Sequence, residues 1–240
     1  MHNGLQDEIE RSFQQLCVEA GRQGIIGFSP VEVVRLLPAQ ARYLQQKVKA
    51  LQRAGSVTAI SLGLFYHEHE VLAIPAVWRS KTLLGDRWND YADAYHTVND
   101  ALDRVAAVLA HQFGGVAEQA TIAGWTGKVK HVTEYFPHCV SHRAFAEAAG
   151  LGWQGRHGLV VTPEAGPALR LATVFIPGSV PQQHKELAGC GDCRACLEVC
   201  PVLREASDYR EACRRRIRAL GLGAEVCGIC VRVCWDRLRA

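Results

Sequence analysis

Cysteine is nearly missing from most of the chain: residues 1–189 hold only Cys17 and Cys139. No apolar run approaches the roughly 18 residues needed to cross a bilayer, which excludes a membrane-spanning helix and leaves no membrane partner to expect. Residues 1–20 carry Asp7, Glu8, Glu10 and Glu19 and no hydrophobic segment, so no secretory signal is read there and a cytoplasmic protein is expected. Neither sign of charge dominates, with 27 Lys and Arg against 24 Asp and Glu, and composition alone does not mark a nucleic-acid binder. Proline is scarce at 9 residues and no repeat or low-complexity stretch occurs, while 48% of the 240 residues are hydrophobic, enough to bury a core.

The other eight cysteines, Cys190, Cys193, Cys196, Cys200, Cys213, Cys227, Cys230 and Cys234, crowd into residues 190–240. In a reducing compartment such density reads as metal ligation rather than disulfides. Cys190 to Pro201 spells C-x2-C-x2-C-x3-C-P, the run in which three thiolates wrap one 4Fe-4S cube and the fourth reaches a neighbouring cluster. Cys213 and the Cys227-x2-Cys230-x3-Cys234 run supply the second set. The crossing rule of two-cluster ferredoxins assigns Cys190, Cys193, Cys196 and Cys234 to one cluster, and Cys200, Cys213, Cys227 and Cys230 to the other. The alternative is a pair of four-cysteine zinc sites, whose ribbons use two separated CxxC pairs without the third cysteine or the following proline. Ten arginines against seven acidic residues in this tail offset the negative charge of thiolate-bound clusters. The run Arg214-Arg215-Arg216-Ile217-Arg218 beside Cys213 has three roles open to it: charge compensation, docking of an acidic electron donor, or phosphate binding. Two adjacent clusters form a relay of single electrons, so redox chemistry is expected.

Upstream, Leu5, Ile9, Phe13, Leu16 and Cys17 make one helical stripe ended by Gly21. Ser29-Pro30-Val31-Glu32 has the order of an N-cap, a first-turn proline and a capping-box Glu, which predicts a short helix stopping before Pro38. Leu44, Val48 and Leu51 mark a further helix closed at Gly55, and residues 57–66 a buried strand. A loop follows with His67-Glu68-His69-Glu70, which lacks the H-E-x-x-H order of a zinc helix. Tyr91, Tyr95, Val98, Leu102, Val105 and Leu109 form the longest helical stripe. Residues 116–123 and 158–176 read as strands around a short helix at 141–149, and residues 177–189 as a linker. The irregular alternation predicts an α+β fold.

Gly150-Leu-Gly152-Trp153-Gln-Gly155 matches the G-x-G-x-x-G dinucleotide fingerprint, yet a helix precedes it and an apolar strand follows, the reverse of a Rossmann site. Taken with the tail, residues 143–161, containing AAGLGWQGRHGLVV, resemble the epoxyqueuosine reductase family. Those are cobalamin-dependent iron–sulfur enzymes of tRNA queuosine synthesis, related to reductive dehalogenases. Ala54-Gly55-Ser56-Val57 and Tyr95-His96 match as well, so the likeness covers roughly residues 54–236. The resemblance implies a nitroreductase-like α/β layer domain over residues 1–185, holding cobalamin base-off, followed by a ferredoxin-like double 4Fe-4S module over 186–240. It implies cofactor contacts from Tyr95, His96, Gly150, Gly152, Trp153, Gly155 and Arg156. It also implies reductive cleavage of a C–O or similar bond, an external low-potential electron donor, and tRNA as the substrate. The absence of the methyltransferase-type D-x-H-x-x-G signature agrees with base-off binding.

The chain departs from the family in places. Arg156 stands where the family has Lys, Trp235 follows Cys234 without the intervening proline, and the helical-repeat tail of many members is not in the sequence. Phe136 takes the register of the family's proton-donating aspartate, and His142-Arg143 stands for its Glu-Arg pair. Reductive cleavage needs a proton donor, and Glu134, Tyr135 and His138 lie in the right segment. Cys139 reads as a small buried residue rather than a nucleophile. The rival reading is an electron-transfer protein that reduces the corrinoid of a partner corrinoid protein and turns over no substrate of its own.

Overall fold

The computed structural model of the chain describes residues 3–53, 55–76, 87–120, 129–181, 187–206, 208–222 and 226–240. The first helix, α1, spans Asn3–Glu19, and its Ile9, Phe13 and Cys17 are buried on one face, as their spacing of four predicts. The next segment differs from expectation. Gly24–Pro30 forms a strand, β1, in which Ile26 and Phe28 turn inward, and the Ser-Pro-Val-Glu pattern yields only one 3-10 turn, Val31–Val33. Ser29 does not cap a helix because it is paired with Ala59 of the neighbouring strand. Pro38 opens the second helix, α2 (Pro38–Gln52), rather than closing one: at the first helical position its missing N–H removes no hydrogen bond.

Strand β2, Val57–Phe65, is buried throughout but for its last residue and lies at the centre of the sheet. Its neighbours are β1 and the long strand Leu169–Pro177. With the short edge strand β3, Val116–Glu118, and a hairpin of β4 (Trp153–Gln154) and β5 (Val160–Val161) preceding it, that long strand is β6. The four-stranded sheet runs β1-β2-β6-β3 and is antiparallel at every pairing. The remainder of the strand expected to reach residue 123 lies outside the described residues from 121 onward.

Both faces of the sheet are covered, and the period-two geometry of β2 divides its residues between them. Ile60, Leu62 and Leu64 join the core under α1 and the long helix α4, Arg87–Gln112, through Val98, Leu102 and Leu109. Val57 and Ala59 face the other way, into a smaller core with Leu44 and Val48 of α2 and with Phe145. Phe145 belongs to α5, His142–Ala148, at whose start the Ser141 side chain accepts from the Ala144 N–H as N-cap; the Phe145 ring meets Phe175 edge-on at 5.3 Å. The His67 segment is a short helix, α3 (Glu68–Leu72), instead of a loop. Glu70 there accepts from the His67 N–H at 2.7 Å and receives both Arg22 guanidinium arms at 2.6 and 2.7 Å.

The described residues of the cysteine-rich tail form four helices, α6 (Ala195–Val199), α7 (Pro201–Glu205), α8 (Tyr209–Ala219) and α9 (Ile229–Arg239). Its Ile229, Val231 and Trp235 enter the same core as α1 and α4, so the tail is packed onto one end of the sheet. The expected linker is tied down at its start: Val180 N–H donates to the Thr58 hydroxyl, which donates to Gly178 O. Residues 182–186 of that linker lie outside the described residues.

Candidate active-site cavity

A cavity of about 500 Å³ lies between the sheet end and the tail. On the sheet side its wall is made by Tyr66 after β2, Tyr91 and Tyr95 of α4, and Leu169, Arg170 and Leu171 of β6. On the tail side Cys200, Cys213, Cys227 and Cys230 all line it, with Tyr209, Arg210, Arg214, Arg216 and Arg218 of α8. Six arginines and five tyrosines line the cavity and no Asp, Glu or Lys does, so its described walls favour anionic or acceptor-rich ligands.

The eight tail cysteines are free of disulfides and sort into two groups by mutual influence. Burial, followed by the thiols of Cys196, Cys190 and Cys193, pushes Cys234 up to about 12. Cys196 is raised by burial and by Cys190 and Cys193. Burial and Cys200 push Cys213 up to about 11; burial, with Cys213 and Cys200 adding, pushes Cys227 up to about 12. Cys230 is raised by burial, then by Cys227, Cys213 and Cys200, with Cys196 of the other group as the weakest of its named neighbours. A group of Cys190, Cys193, Cys196 and Cys234 therefore lies beside a group of Cys200, Cys213, Cys227 and Cys230. Among the described residues no three His, Cys, Asp or Glu side chains are drawn together to the spacing of a single-ion site.

Of the residues the sequence singles out as cofactor contacts, Tyr95 lines the cavity; His96, one residue on, is exposed and meets the Tyr95 ring edge-on at 5.4 Å. The glycine-rich segment is a hairpin, as the order of elements demands. Gly150, at φ +70°, ends α5, and its N–H donates to Glu147 O. A Cβ on Gly152 would run into the Val161 carbonyl, and one on Gly155 would meet His157 Cε1 at 2.6 Å. These glycines let two strands and a buried imidazole pack closely. Trp153 is in β4, half-buried, and Arg156 turns outward to the first cysteine loop, donating to Cys193 O at 3.0 Å and Gly191 O at 2.7 Å. None of His96, Gly150, Gly152, Trp153, Gly155 and Arg156 lines the cavity.

Among the candidate acids, Glu134 and His138 are exposed, whereas Tyr135 is half-buried and lines the cavity. All three belong to a 3-10 helix, Val132–His138. Burial raises the Tyr135 phenol and Cys139 adds to the rise, while the Arg210 guanidinium opposes it. His142 has both ring nitrogens engaged. Gln119 O can only accept, so Nε2 carries the proton to it at 2.7 Å and Nδ1 accepts from the Thr173 hydroxyl at 2.8 Å. Cys139 is buried, as expected.

Several wall residues escaped the sequence reading. Arg170 stacks on Tyr95, 4.5 Å from its ring centre, and donates to Asn99 Oδ1 at 2.7 Å. The signal was available, since an arginine breaks a strand whose other residues, Thr173 apart, are apolar. His157 is 4% exposed; its Nδ1 accepts from the Leu159 N–H at 3.1 Å, so the neutral ring carries its proton on Nε2, which has no partner among the described residues. Tyr91 lies against the loop between Cys227 and Cys230, where a Cβ on Gly228 would meet its ring at 2.6 Å. Tyr66 stands next to it, ring centres 5.4 Å apart. Two aromatic rings thus separate the second cysteine group from the sheet.

Fold and site together define a mixed α/β protein whose cysteine-rich helical tail closes a cavity over a four-stranded antiparallel sheet. Several relatives in sequence carry the name epoxyqueuosine reductase. The chain is 26% identical to epoxyqueuosine reductase of Synechococcus sp. (strain CC9605) over 88% of its own length and 72% of that protein's. With the Escherichia coli epoxyqueuosine reductase it shares 34% identity over 37% of this chain and 27% of the relative. The structure of epoxyqueuosine reductase from Streptococcus thermophilus has the same fold, with a TM-score of 0.51 at 18% identity over 95% of this chain and 66% of the other. No family model matches. The chain is thus similar, at low identity, to the epoxyqueuosine reductases. It spans less than two thirds of several of these relatives, about a quarter in the Escherichia coli case.

Proposed function

We propose that the chain is a reductase of the epoxyqueuosine reductase type, whose two cysteine groups would each hold a 4Fe-4S cluster and whose cavity would hold cobalamin. The observation that carries this reading is that all four thiols of one cysteine group form part of the cavity wall, so electrons held there are delivered at a ligand site. The donor set fits iron–sulfur: eight thiols, no disulfide, in two groups with the membership the crossing rule assigns. The cavity chemistry fits a corrinoid, since tyrosine and leucine faces suit its ring and guanidinium groups suit its carboxamides and phosphate. When bound, the clusters supply single electrons and the corrinoid supplies the reducing centre for cleavage of a C–O bond. Residues 1–185 act as the nitroreductase-like, cofactor-holding part and 186–240 as the ferredoxin-like part. An external low-potential donor and an epoxyqueuosine-bearing tRNA complete the set of partners.

Within this reading the chain's own residues take definite tasks. Tyr95 and Arg170 form a stacked wall that orients the ligand, and Tyr91 with Tyr66 excludes water between the second cysteine group and the sheet. Tyr135 is the proton donor. It is the cavity-lining member of the three candidates, its phenol stays neutral at pH 7, and Arg210 stabilises the phenolate left after transfer. Glu134 and His138, exposed on the same turn, relay protons from solvent.

Anaerobic iron and sulfide analysis, with absorption and EPR spectra before and after addition of Co(II) cobalamin, tests the cofactor set. About eight irons per chain and a base-off cobalt signal are expected. Turnover of an epoxyqueuosine-bearing anticodon stem with reductant tests the substrate. The absence of any carboxylate from the described cavity wall favours a second reading, a corrinoid-reducing electron carrier. Cobalamin reduction without turnover of the stem would establish that reading and sink the first.

A further inference from the structure

The segment that leads into the Tyr135 turn is stitched to the helix that carries Cys213. Glu211 and Arg214 of α8 are both buried, 4% and 8% exposed, and pair through two contacts, Nη2 to Oε1 at 2.6 Å and Nε to Oε2 at 2.9 Å. Neither side chain ends there. Glu211 Oε2 accepts from the Val132 N–H at 2.9 Å, and Arg214 donates to Lys130 O at 2.8 Å and Val129 O at 3.4 Å. Asp208, the N-cap of α8, adds a contact to the His131 ring at 3.3 Å. Every hydrogen-bonding backbone group from Val129 to Val132 that meets α8 is thus held by one ion pair, and Cys213 sits between its two members in sequence. Arg214, in a run that invites reading as a phosphate or donor-docking patch, points into the protein and holds backbone carbonyls.

Resting on the reading that Cys213 ligates iron and that Tyr135 is the acid, we infer that the Glu211–Arg214 pair is a positioning device linking the two. Ligation of Cys213 fixes α8; α8 fixes residues 129–132 through this pair; and that segment sets where Tyr135 stands in the cavity. Without the second cluster the acid is released from its post, so proton delivery is withheld until the electron supply is assembled. The residues act through Tyr135 and touch no reacting atom.

Amide hydrogen exchange on the full-length protein, iron-loaded and iron-stripped, reads this directly, because the Val132 N–H is itself one of the stitched groups. Stripping iron from the wild type is expected to speed exchange across 129–135 by roughly tenfold or more. Glu211→Ala, which preserves helix propensity, is expected to do the same while the protein keeps its iron and its cluster spectrum, and Glu211→Gln, which retains an acceptor, to restore part of the protection. Exchange at 129–135 that ignores iron, or that is unchanged by Glu211→Ala in iron-loaded protein, overturns the device and leaves the functional reading standing. A wild type that binds no iron overturns both. Should Glu211→Ala lose its iron or fail to fold, Val132→Pro decides from the loop side. It deletes the N–H that Glu211 accepts, at the first position of a 3-10 turn preceded by an extended residue, where proline fits. Thr133 and Glu134 amides that open with iron retained support the device, and amides that stay closed overturn it.

Discussion

Gly158 is where the glycine-rich hairpin meets the tail, and replacing it with alanine tests how the two are joined. Its φ of +77° lies in the left-handed region, which costs an L-residue about 1–2 kcal/mol. A Cβ there would also overlap the Tyr209 hydroxyl and come within 2.7 Å of Cζ. Overpacking of that kind costs about 1–3 kcal/mol where the neighbour is held. The substitution is expected to destabilise by about 2–5 kcal/mol, the low end if Tyr209 swings aside and the high end if it does not. For a chain of this size that lowers Tm by roughly 4–20 °C. Arg143 Nη1 donates to the Gly158 carbonyl at 2.9 Å, so a shift of this residue also disturbs the cavity wall. Thermal unfolding of Gly158→Ala, Tyr209→Phe and the double variant separates the two causes. Loss of the hydroxyl should recover the larger part of the overlap cost, the contact with Cζ remaining, and leave the backbone cost. A Gly158→Ala protein as stable as the wild type, or a double variant no better than the single, would refute the reasoning.

The Arg22–Glu70 pair gives a pH dependence. Burial raises the Glu70 carboxyl, but the bidentate Arg22 contact and the His67 N–H outweigh it and hold it below the usual carboxylate range. Its contribution is therefore complete above the unfolded value of about 4.3 and is lost as pH falls through the lower folded value. Glu70→Gln should cost about 1.5–3 kcal/mol at pH 7 in denaturant unfolding, with the gap to wild type closing below about pH 4; a gap that persists at low pH contradicts the assignment. Burial pushes the thiols of Cys17 and Cys139 up to about 11, leaving on the order of one in a thousand as thiolate at pH 8. Neither should react with iodoacetamide in the native iron-loaded protein, as followed by mass spectrometry, and labelling of either at the rate of a free cysteine would show its burial to be wrong.

Much of the fold could be read from residue order because local and tertiary signals agree there. The stripe of Ile9, Phe13 and Cys17, the buried run of β2 and the long helix α4 each bury the face their periodicity offers. Disagreement arises at Ser29-Pro30-Val31-Glu32, where capping chemistry favours a helix start but Phe28 and Ile26 find a place in the sheet beside β2. Burial of two large side chains, at about 1.5–3 kcal/mol each, outweighs a cap worth about 1 kcal/mol. The His67 segment shows the reverse: a short helix forms where no periodicity could register, because one carboxylate, Glu70, serves both the His67 N–H and a distant arginine.

The cavity was only half legible, for a reason of the same kind. Its cysteines announce themselves by spacing, since cluster ligands must lie close along the chain. Its arginines and tyrosines come from β6, α4, α5 and α8, from the residue after β2 and from the 3-10 helix Val132–His138, and no spacing rule connects them. They also change the meaning of a residue that spacing did mark. Phe136 in the register of the family's aspartate reads, in one dimension, as the loss of an acid. In three dimensions the residue beside it, Tyr135, lines a cavity whose described wall has no carboxylate, and burial raises its phenol against the pull of Arg210. A phenol starts from a value near 10 and burial moves this one further up, so Tyr135 stays protonated at pH 7, with Arg210 placed to favour its conjugate base. The proposal that Tyr135 is the acid therefore rests on its place in the cavity wall, which no match of spacing to the family's aspartate could have marked.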